Sequence, residues 1–395
     1  MSNKHMPYDL KQMQSLPLEA KIRMTQERIR QWHEYWEGNV YVSFSGGKDS
    51  TVLKHLVDGM YNDVPSLFVN TGLEYPEIQK FVKDIKAGRW DCFNSDVEIV
   101  RPEMRFDEVI KKYGYPVVSK AVAHAIKIAK RNPSGKVMQN VFNPENKGRF
   151  GFYKWKFLID SEIPVSDECC DVMKKAPAKK YAKETGRKAI LGTLASESSL
   201  RYKSWLQNGC NAFDSKTPTS QPLSFWTEQD ILQYLKFFGV PYCPVYGEIV
   251  ATDPGGDVYE IPIEFFKELC AVGIPLKLKT TGCDRTGCIF CMFGCHLEKD
   301  PNRFQRLKQT HPRQYEFCMG GGEYVWEGTA YTSGGEPRKI SWINDDDSPM
   351  SNEEIEEFVK EHKDNKNFKF SRKWQPTKEG LGQEKVLDYI GVGYE

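Results

Sequence analysis

Three things are scarce or absent in this chain, and each narrows what it is. Net charge is nearly absent: 55 Lys and Arg stand against 54 Asp and Glu, a formal +1. A balance that close names no partner through global charge. Long apolar runs are absent as well. No stretch of about 18 apolar residues occurs, so no membrane span is expected. The first 30 residues are polar and charged, without the apolar core of a secretory leader, so a cytoplasmic location is expected. No internal repeat is evident. Cysteine, by contrast, is plentiful at 11 residues. Without a secretory leader those cysteines argue against a disulfide scaffold and for metal or redox chemistry.

The chain has 395 residues and a globular composition, 39% hydrophobic and 28% charged. That length suits two or three domains, or one large domain with an appendage, and can bury a substantial core.

The most specific feature is Ser45-Gly46-Gly47-Lys48-Asp49-Ser50, directly after the β-rich run Val40-Tyr41-Val42-Ser43-Phe44. A helix-competent stretch begins at Thr51. Strand, glycine-rich loop and helix start form a cradle for phosphate. Glycines admit close backbone approach, amide groups point outward and the helix dipole favours negative charge. Lys48 adds a cation, and Ser45 and Ser50 add hydroxyls. The Walker pattern needs four residues between its first glycine and Gly-Lys-Ser/Thr, which this loop lacks. The alternative, a tight strand-to-helix turn with chance glycines, would leave these groups without a task.

Strands and helices alternate around that loop. Residues 17–37 read as an amphipathic helix with Leu18, Ile22, Ile29, Trp32 and Trp36 near one face. Helices are expected over 51–60, 76–87 and 170–185, and strands over 66–70, 97–100 and 188–192. Thr227 is a plausible N-cap for a helix, and Ser351 with Glu354 forms a capping box. This spacing predicts an α/β fold with a doubly wound parallel sheet. Ligands of such sheets bind beyond the carboxyl ends of the strands, where both the 45–50 loop and Asn70-Thr71-Gly72 fall. The expected organisation is a helical segment at 1–37 and a nucleotide-binding domain at 38–245. A cysteine-rich region at 246–335 and a charged, helical C-terminal appendage at 336–395 complete it.

Two further patterns bear on chemistry. Cys283, Cys288, Cys291 and Cys295 are spaced C-x4-C-x2-C-x3-C, and Cys169-Cys170 is an adjacent pair. Thiolates so spaced bind zinc or iron–sulfur clusters, whereas small buried hydrophobes are the plainer reading. The stretch 120–188 holds 16 Lys and Arg against 7 Asp and Glu, interleaved with Phe142, Phe150, Phe152, Tyr153, Trp155 and Phe157. It suits either a nucleic-acid surface or a solvated basic face over core aromatics.

The 45–50 string after its strand resembles the PP-loop of the ATP pyrophosphatase superfamily. In order along the chain come Glu168-Cys169-Cys170, Gly192 with Glu197 and Arg201, and Pro222-Leu223 with Trp226-Thr227 and Asp230-Ile231. Last comes Gly282-Cys283-Asp284-Arg285-Thr286-Gly287-Cys288-Ile289-Phe290-Cys291. This set is similar to the phosphoadenosine phosphosulfate (PAPS) reductase family. That family includes sulfonucleotide reductases, the small subunit of ATP sulfurylase and the ATP pyrophosphatase component of DNA phosphorothioation systems. The resemblance covers about residues 38–295 and implies an adenine nucleotide alpha hydrolase-like fold. It also implies a [4Fe-4S] cluster on Cys169, Cys170, Cys288 and Cys291, with Cys283 and Cys295 spare or replacing one of the pair. Zinc is the alternative occupant. The family's sulfonucleotide reductases use a cysteine near the C-terminus, whereas the last cysteine here is Cys318. An intact PP-loop points instead to cleavage of ATP.

On that resemblance, ATP would lie with its β and γ phosphates over the amides of Ser45, Gly46, Gly47, Lys48, Asp49 and Ser50. Lys48 would neutralise charge on pyrophosphate, and Asp49 would hold Mg²⁺ or simply face the helix dipole. Asn70, Thr71 and Gly72 would line the adenosine side. Arg201, oriented by Glu197, would contact an acidic substrate or the α-phosphate. The expected activity splits ATP into AMP and pyrophosphate to activate a substrate for sulfur transfer, with nucleic acid and a sulfur-donor protein as candidate partners. Two other readings stand beside it: a sulfonucleotide reductase, and a regulatory nucleotide- or nucleic-acid-binding protein that retains the fold.

Overall fold

The computed structural model describes residues 5–252, 257–260, 262, 265, 268–269, 277–332 and 334–395. Parts of the expected 246–335 region and the start of the 1–37 segment lie outside the described residues. Contacts divide the chain into two units, each built from two stretches: residues 1–103 with 173–289, and residues 104–172 with 290–395.

The first unit is mixed α/β around a six-stranded sheet. Its strand order is Val97–Val100, Ser66–Val69, Val40–Ser43, Lys188–Leu191, Thr219–Ser220 and Asn211–Ala212. All neighbours pair in parallel except the last two strands. Val40 and Val42 on one side and Tyr41 on the other are all buried. A parallel strand covered on both faces must be apolar at nearly every position, and this run is. Helices Leu18–Tyr35, Lys48–Asp58, Pro76–Lys86, Ala176–Thr185, Ser199–Asn208 and Glu228–Phe238 belong to this unit. Each expected strand of the sheet is present within a residue of its expected end.

The order of the strands matters for function. From Val40–Ser43 the chain steps outward twice, then returns to Lys188–Leu191 on the other side of the first strand. The strand order therefore reverses between these two neighbours. Their register, Val40 beside Lys188 and Ser43 beside Leu191, ends both strands level. The loops beyond them depart from a common line and leave a crevice.

Buried polar pairs tie helices to this core. Lys21 is 2% exposed, and its ammonium reaches both Asp230 carboxylate oxygens at 2.8 and 2.7 Å. Asp230 also accepts from the Thr227 amide at 2.7 Å, while the Thr227 hydroxyl caps the Asp230 amide, as expected of an N-cap. A single carboxylate thus locks the start of one helix and the flank of another. Nearby, the Trp226 indole donates to Thr25 at 2.8 Å.

The second unit contains helices Phe106–Tyr113, Lys120–Arg131, Lys136–Val141, Arg303–Thr310, Pro312–Met319, Asn352–His362 and Gln383–Ile390. It also holds a three-stranded antiparallel sheet in which Gly322–Tyr331 lies between Pro337–Lys339 and Phe368–Pro376. The helical C-terminal appendage expected at 336–395 is corrected to a mixed one, with two helices and two strands. Its capping box at Ser351 and Glu354 is present, but a nine-residue strand comes after it. Phe368, Phe370, Arg372 and Trp374 alternate with Lys369, Ser371 and Lys373, a period of two that the high charge of the region concealed.

The Lys21–Asp230 pair yields a stability test. Lys21→Met strands a buried carboxylate without its cation, which costs about 3–5 kcal/mol. Urea unfolding should show that loss, and Lys21→Arg should recover part of it.

Candidate active site

Within the first unit the crevice is a cavity of about 280 Å³. Three segments line it. Ser45 and Gly47 come from the loop after the first strand and Lys48, Asp49 and Ser50 from the helix start it leads into, while Gly192, Glu197 and Arg201 follow the neighbouring strand, Arg201 on helix Ser199–Asn208. Tyr246, Arg285 and Thr286 come from a third stretch.

The 45–50 loop is held by its own hydroxyls. The Ser45 amide donates to Ser50 Oγ at 3.2 Å, the two serine oxygens lie 3.0 Å apart, and Ser50 Oγ donates to the Gly47 carbonyl at 2.9 Å. Gly46 has φ +71°, and a Cβ there would meet Ile78 Cγ2 at 2.9 Å, so only glycine fits the turn. Gly47 is the N-cap of helix Lys48–Asp58 and brings no side-chain cap of its own. A helix start beside a cavity favours an anion. The opposing wall comes equally close: a Cβ at Gly192 would lie 3.0 Å from the Ser50 Cα and the Asp49 carbonyl oxygen.

Lys48 is 4% exposed and engaged on several sides. Its ammonium donates to the Asp284 carbonyl at 2.5 Å, pairs with Glu228 at 2.9 Å and lies 5.4 Å from the centre of the Tyr246 ring. Its amide donates to the Tyr246 hydroxyl at 3.2 Å, and that hydroxyl is 2.6 Å from Thr286 Oγ1. Asp49 differs. Its Oδ1 is buried without a hydrogen-bond partner. Burial lifts its carboxyl above the ordinary aspartate range, against the opposing pull of Lys48, while Glu228 adds to the lift and Arg285 and Arg201 oppose it. Arg201 forms an ion pair with Glu197, and Glu197 in turn accepts from the Leu194 amide at 2.9 Å. Burial lowers the Arg201 pKa, with Asp49 pulling it back up.

The structure thus brings together Ser45, Gly47, Lys48, Asp49, Ser50, Glu197 and Arg201 around one cavity. Asn70, Thr71 and Gly72 lie at the end of the next strand and are outside its lining. Thr71 is spent on a turn: its amide and hydroxyl donate to Glu74 at 3.0 and 2.7 Å, and the Gly72 amide donates to Asn70 at 3.1 Å. Tyr246, Glu228, Arg285 and Thr286 are site groups to which the sequence alone assigned no role. Arg285 and Thr286 sit inside the cysteine string, where the thiols drew attention instead.

The six cysteines fall on both units. Cys283 and Cys288 belong to the first, and Cys169, Cys170, Cys291 and Cys295 to the second. Cys295 is buried, and its thiol donates to the Met292 carbonyl at 3.0 Å. Among the described residues no group of three or more His, Cys, Asp or Glu side chains is gathered as a metal site.

The sequence profile of the phosphoadenosine phosphosulfate reductase domain matches residues 39–142 and 119–293, well over half of the chain. The chain belongs to this family. Its match runs through the PP-loop, the Gly192–Arg201 wall and the Arg285–Thr286 segment. An uncharacterized protein of Methanocaldococcus jannaschii is 34% identical over 90 residues, which is 22% of this chain and 18% of that protein. The chain thus spans less than a fifth of that relative. The PAPS reductase of Candida auris, solved as a phosphate complex, is similar at 16% identity and a TM-score of 0.33, covering 62% of this chain and 92% of that one. A likeness at that score adds nothing to the profile match. Among the described residues no helix is long and apolar enough to cross a membrane.

The contact between the two walls is backbone on backbone, so it cannot relax by turning a side chain. Gly192→Ala is expected to cost about 1–3 kcal/mol, read as a lowered Tm, with Gly393→Ala, which meets nothing within 4 Å and has no left-handed backbone, as the comparison for a glycine outside the crevice.

Proposed function

We propose that this PAPS reductase-family chain is an ATP pyrophosphatase-type enzyme that activates a substrate for sulfur transfer. The observation that carries the reading is the start of helix Lys48–Asp58 at the cavity, with Lys48 and Asp49 on it and Arg201 and Arg285 also lining that cavity. That arrangement offers a helix start and three cations to a polyphosphate. Cations held in place where charge develops stabilise it without reorganising.

The β and γ phosphates of ATP rest on the amides of the 45–50 loop. Lys48 transfers its ammonium from the Asp284 carbonyl and Glu228 to the phosphate oxygens, and Glu228 is left facing solvent. An oxygen nucleophile of the substrate attacks the α-phosphorus. The bond from that phosphorus to the bridging oxygen breaks, and pyrophosphate leaves with the electron pair. Arg201, steadied by Glu197, and Arg285 offset charge on the α-phosphate. A sulfur nucleophile then displaces AMP from the activated substrate. Asp49, with its unpartnered buried Oδ1, is the residue that would hold Mg²⁺, which neutralises phosphate charge when bound. A cysteine-held [4Fe-4S] cluster or zinc ion is a separate proposal, read from the iron, sulfide and zinc content of protein purified without oxygen.

Incubation of the protein with ATP and Mg²⁺ tests the reading. AMP and pyrophosphate are expected in equal amounts, and Lys48→Ala should lower their rate by about 10²–10³-fold. Sulfite released from PAPS or adenylylsulfate, with no ATP consumed, would replace this reading with a sulfonucleotide reductase. The pH profile adds a check. The folded Asp49 pKa is raised, so turnover that needs its carboxylate should fall as pH drops through a value above the ordinary aspartate range. Asp49→Asn should remove that acid limb along with most of the activity.

A further inference from the structure

The second unit carries a surface that the nucleotide chemistry does not use. Between residues 147 and 159 the chain holds four cations, Lys147, Arg149, Lys154 and Lys156, and no Asp or Glu. Five aromatics are threaded among them: Phe150, Phe152, Tyr153, Trp155 and Phe157. Tyr153–Leu158 forms a short 3-10 helix. At three residues per turn, 153 stacks beneath 156, 154 beneath 157, and 155 beneath 158. Leu158 is fully buried, so the row of Trp155 and Leu158 faces inward, where Trp155 meets the His296 ring edge-on at 5.2 Å. The other two rows face out.

Those outward rings are exposed. Phe150, Tyr153 and Phe157 are 60%, 48% and 39% accessible. Phe157 lies 5.5 Å from the ring of Tyr389, itself 43% exposed, which extends the aromatic surface onto the C-terminal helix. Cations sit against three rings of the segment, the inward-facing Trp155 among them. The Lys156 ammonium is 5.9 Å from the Tyr153 ring centre, Lys154 is 5.1 Å from that of Trp155, and the Arg149 guanidinium is 5.8 Å from that of Phe150.

Single exposed rings are ordinary, but several gathered on one short segment and interleaved with cations point to a contact surface. Here the ligand must want flat faces and positive charge in alternation, with acids only at the margins, at Glu145, Asp160 and Asp388. A single-stranded nucleic acid meets that description: bases stack on rings, and phosphates between them meet Lys and Arg. A duplex offers the phosphates but keeps its base faces stacked inside. We propose that the 147–159 segment, with Tyr389, binds single-stranded nucleic acid, with bases stacking on Phe150, Tyr153 and Phe157 and phosphates held by Arg149, Lys154 and Lys156.

Fluorescence anisotropy of the full chain with a labelled single-stranded oligonucleotide, without ATP, tests the surface apart from the turnover assay. Binding is expected to weaken with salt. Lys154→Ala with Lys156→Ala should reduce the slope of log affinity against log salt by about 1.4, two phosphates at roughly 0.7 each. Tyr153→Ala and Phe157→Ala should each weaken binding by roughly five- to 150-fold, while Tyr153→Phe, which keeps the ring, should bind as the unaltered chain does. Circular dichroism confirms that the variants fold. Equal affinity for a duplex of the same sequence, or no change in either alanine series, would overturn the proposal. So would binding to anionic phosphatidylserine vesicles that falls with these substitutions while oligonucleotide binding is absent.

Discussion

The close approach of two loops at one end of the sheet is the constraint on which the rest of the first unit depends. Strands Val40–Ser43 and Lys188–Leu191 run side by side and end level. Beyond their ends the two loops must part, yet the walls they form still touch where Gly192 meets the Ser50 Cα and the Asp49 carbonyl. That contact fixes the separation between the start of helix Lys48–Asp58 and the helix that carries Arg201. Any side chain at 192 would push the cations of one wall away from the carboxylate of the other. The chemistry proposed for the cavity is thus set by backbone packing first and by side-chain identity second.

Electrostatics within the cavity derive from that geometry. Lys48, Arg201 and Arg285 surround a carboxylate, Asp49, that burial makes reluctant to ionise. Lys48 and Arg201 are already partnered by Glu228 and Glu197, so an anion entering this pocket competes with those carboxylates for the cations. Glu228 complicates the balance from the rim, and its half-exposed side chain can return to water when an anion takes its place beside Lys48. The same unit uses buried charge differently elsewhere. Lys54 is fully buried beside Asp58 at 2.9 Å and Ser66 at 3.0 Å, where it anchors the helix to the neighbouring strand.

Much of this was legible in the sequence, and the parts that were not share a cause. The 45–50 loop could be read because six adjacent residues carry the whole signal, and the strands beside it because they are continuous apolar runs. Glu197 and Arg201 came from the resemblance to the PAPS reductase family, and both line the cavity. Tyr246, Glu228, Arg285 and Thr286 are brought in from distant segments by the fold, and nothing local distinguishes them from any other tyrosine or arginine. Asn70, Thr71 and Gly72, expected on the adenosine side from their place at a strand end, lie outside the cavity lining, and hydrogen bonds to Glu74 and within the turn shape their loop. Strands of two residues, such as Asn211–Ala212 and Thr219–Ser220, are too short to show a period. The strand Phe368–Pro376 has a clear period that its lysines and arginine disguise as a solvated tail.

The hold that Tyr246, Asp284 and Glu228 keep on Lys48 has a thermodynamic side. Both the amide and the ammonium of that lysine have exchanged water for protein acceptors. An arriving anion therefore swaps one acceptor for another and has little hydration to strip from the lysine. The cost of dehydrating that donor is met when the chain folds, and the affinity of the cavity depends on how much better phosphate is as an acceptor than a phenol, a carbonyl and a rim carboxylate together.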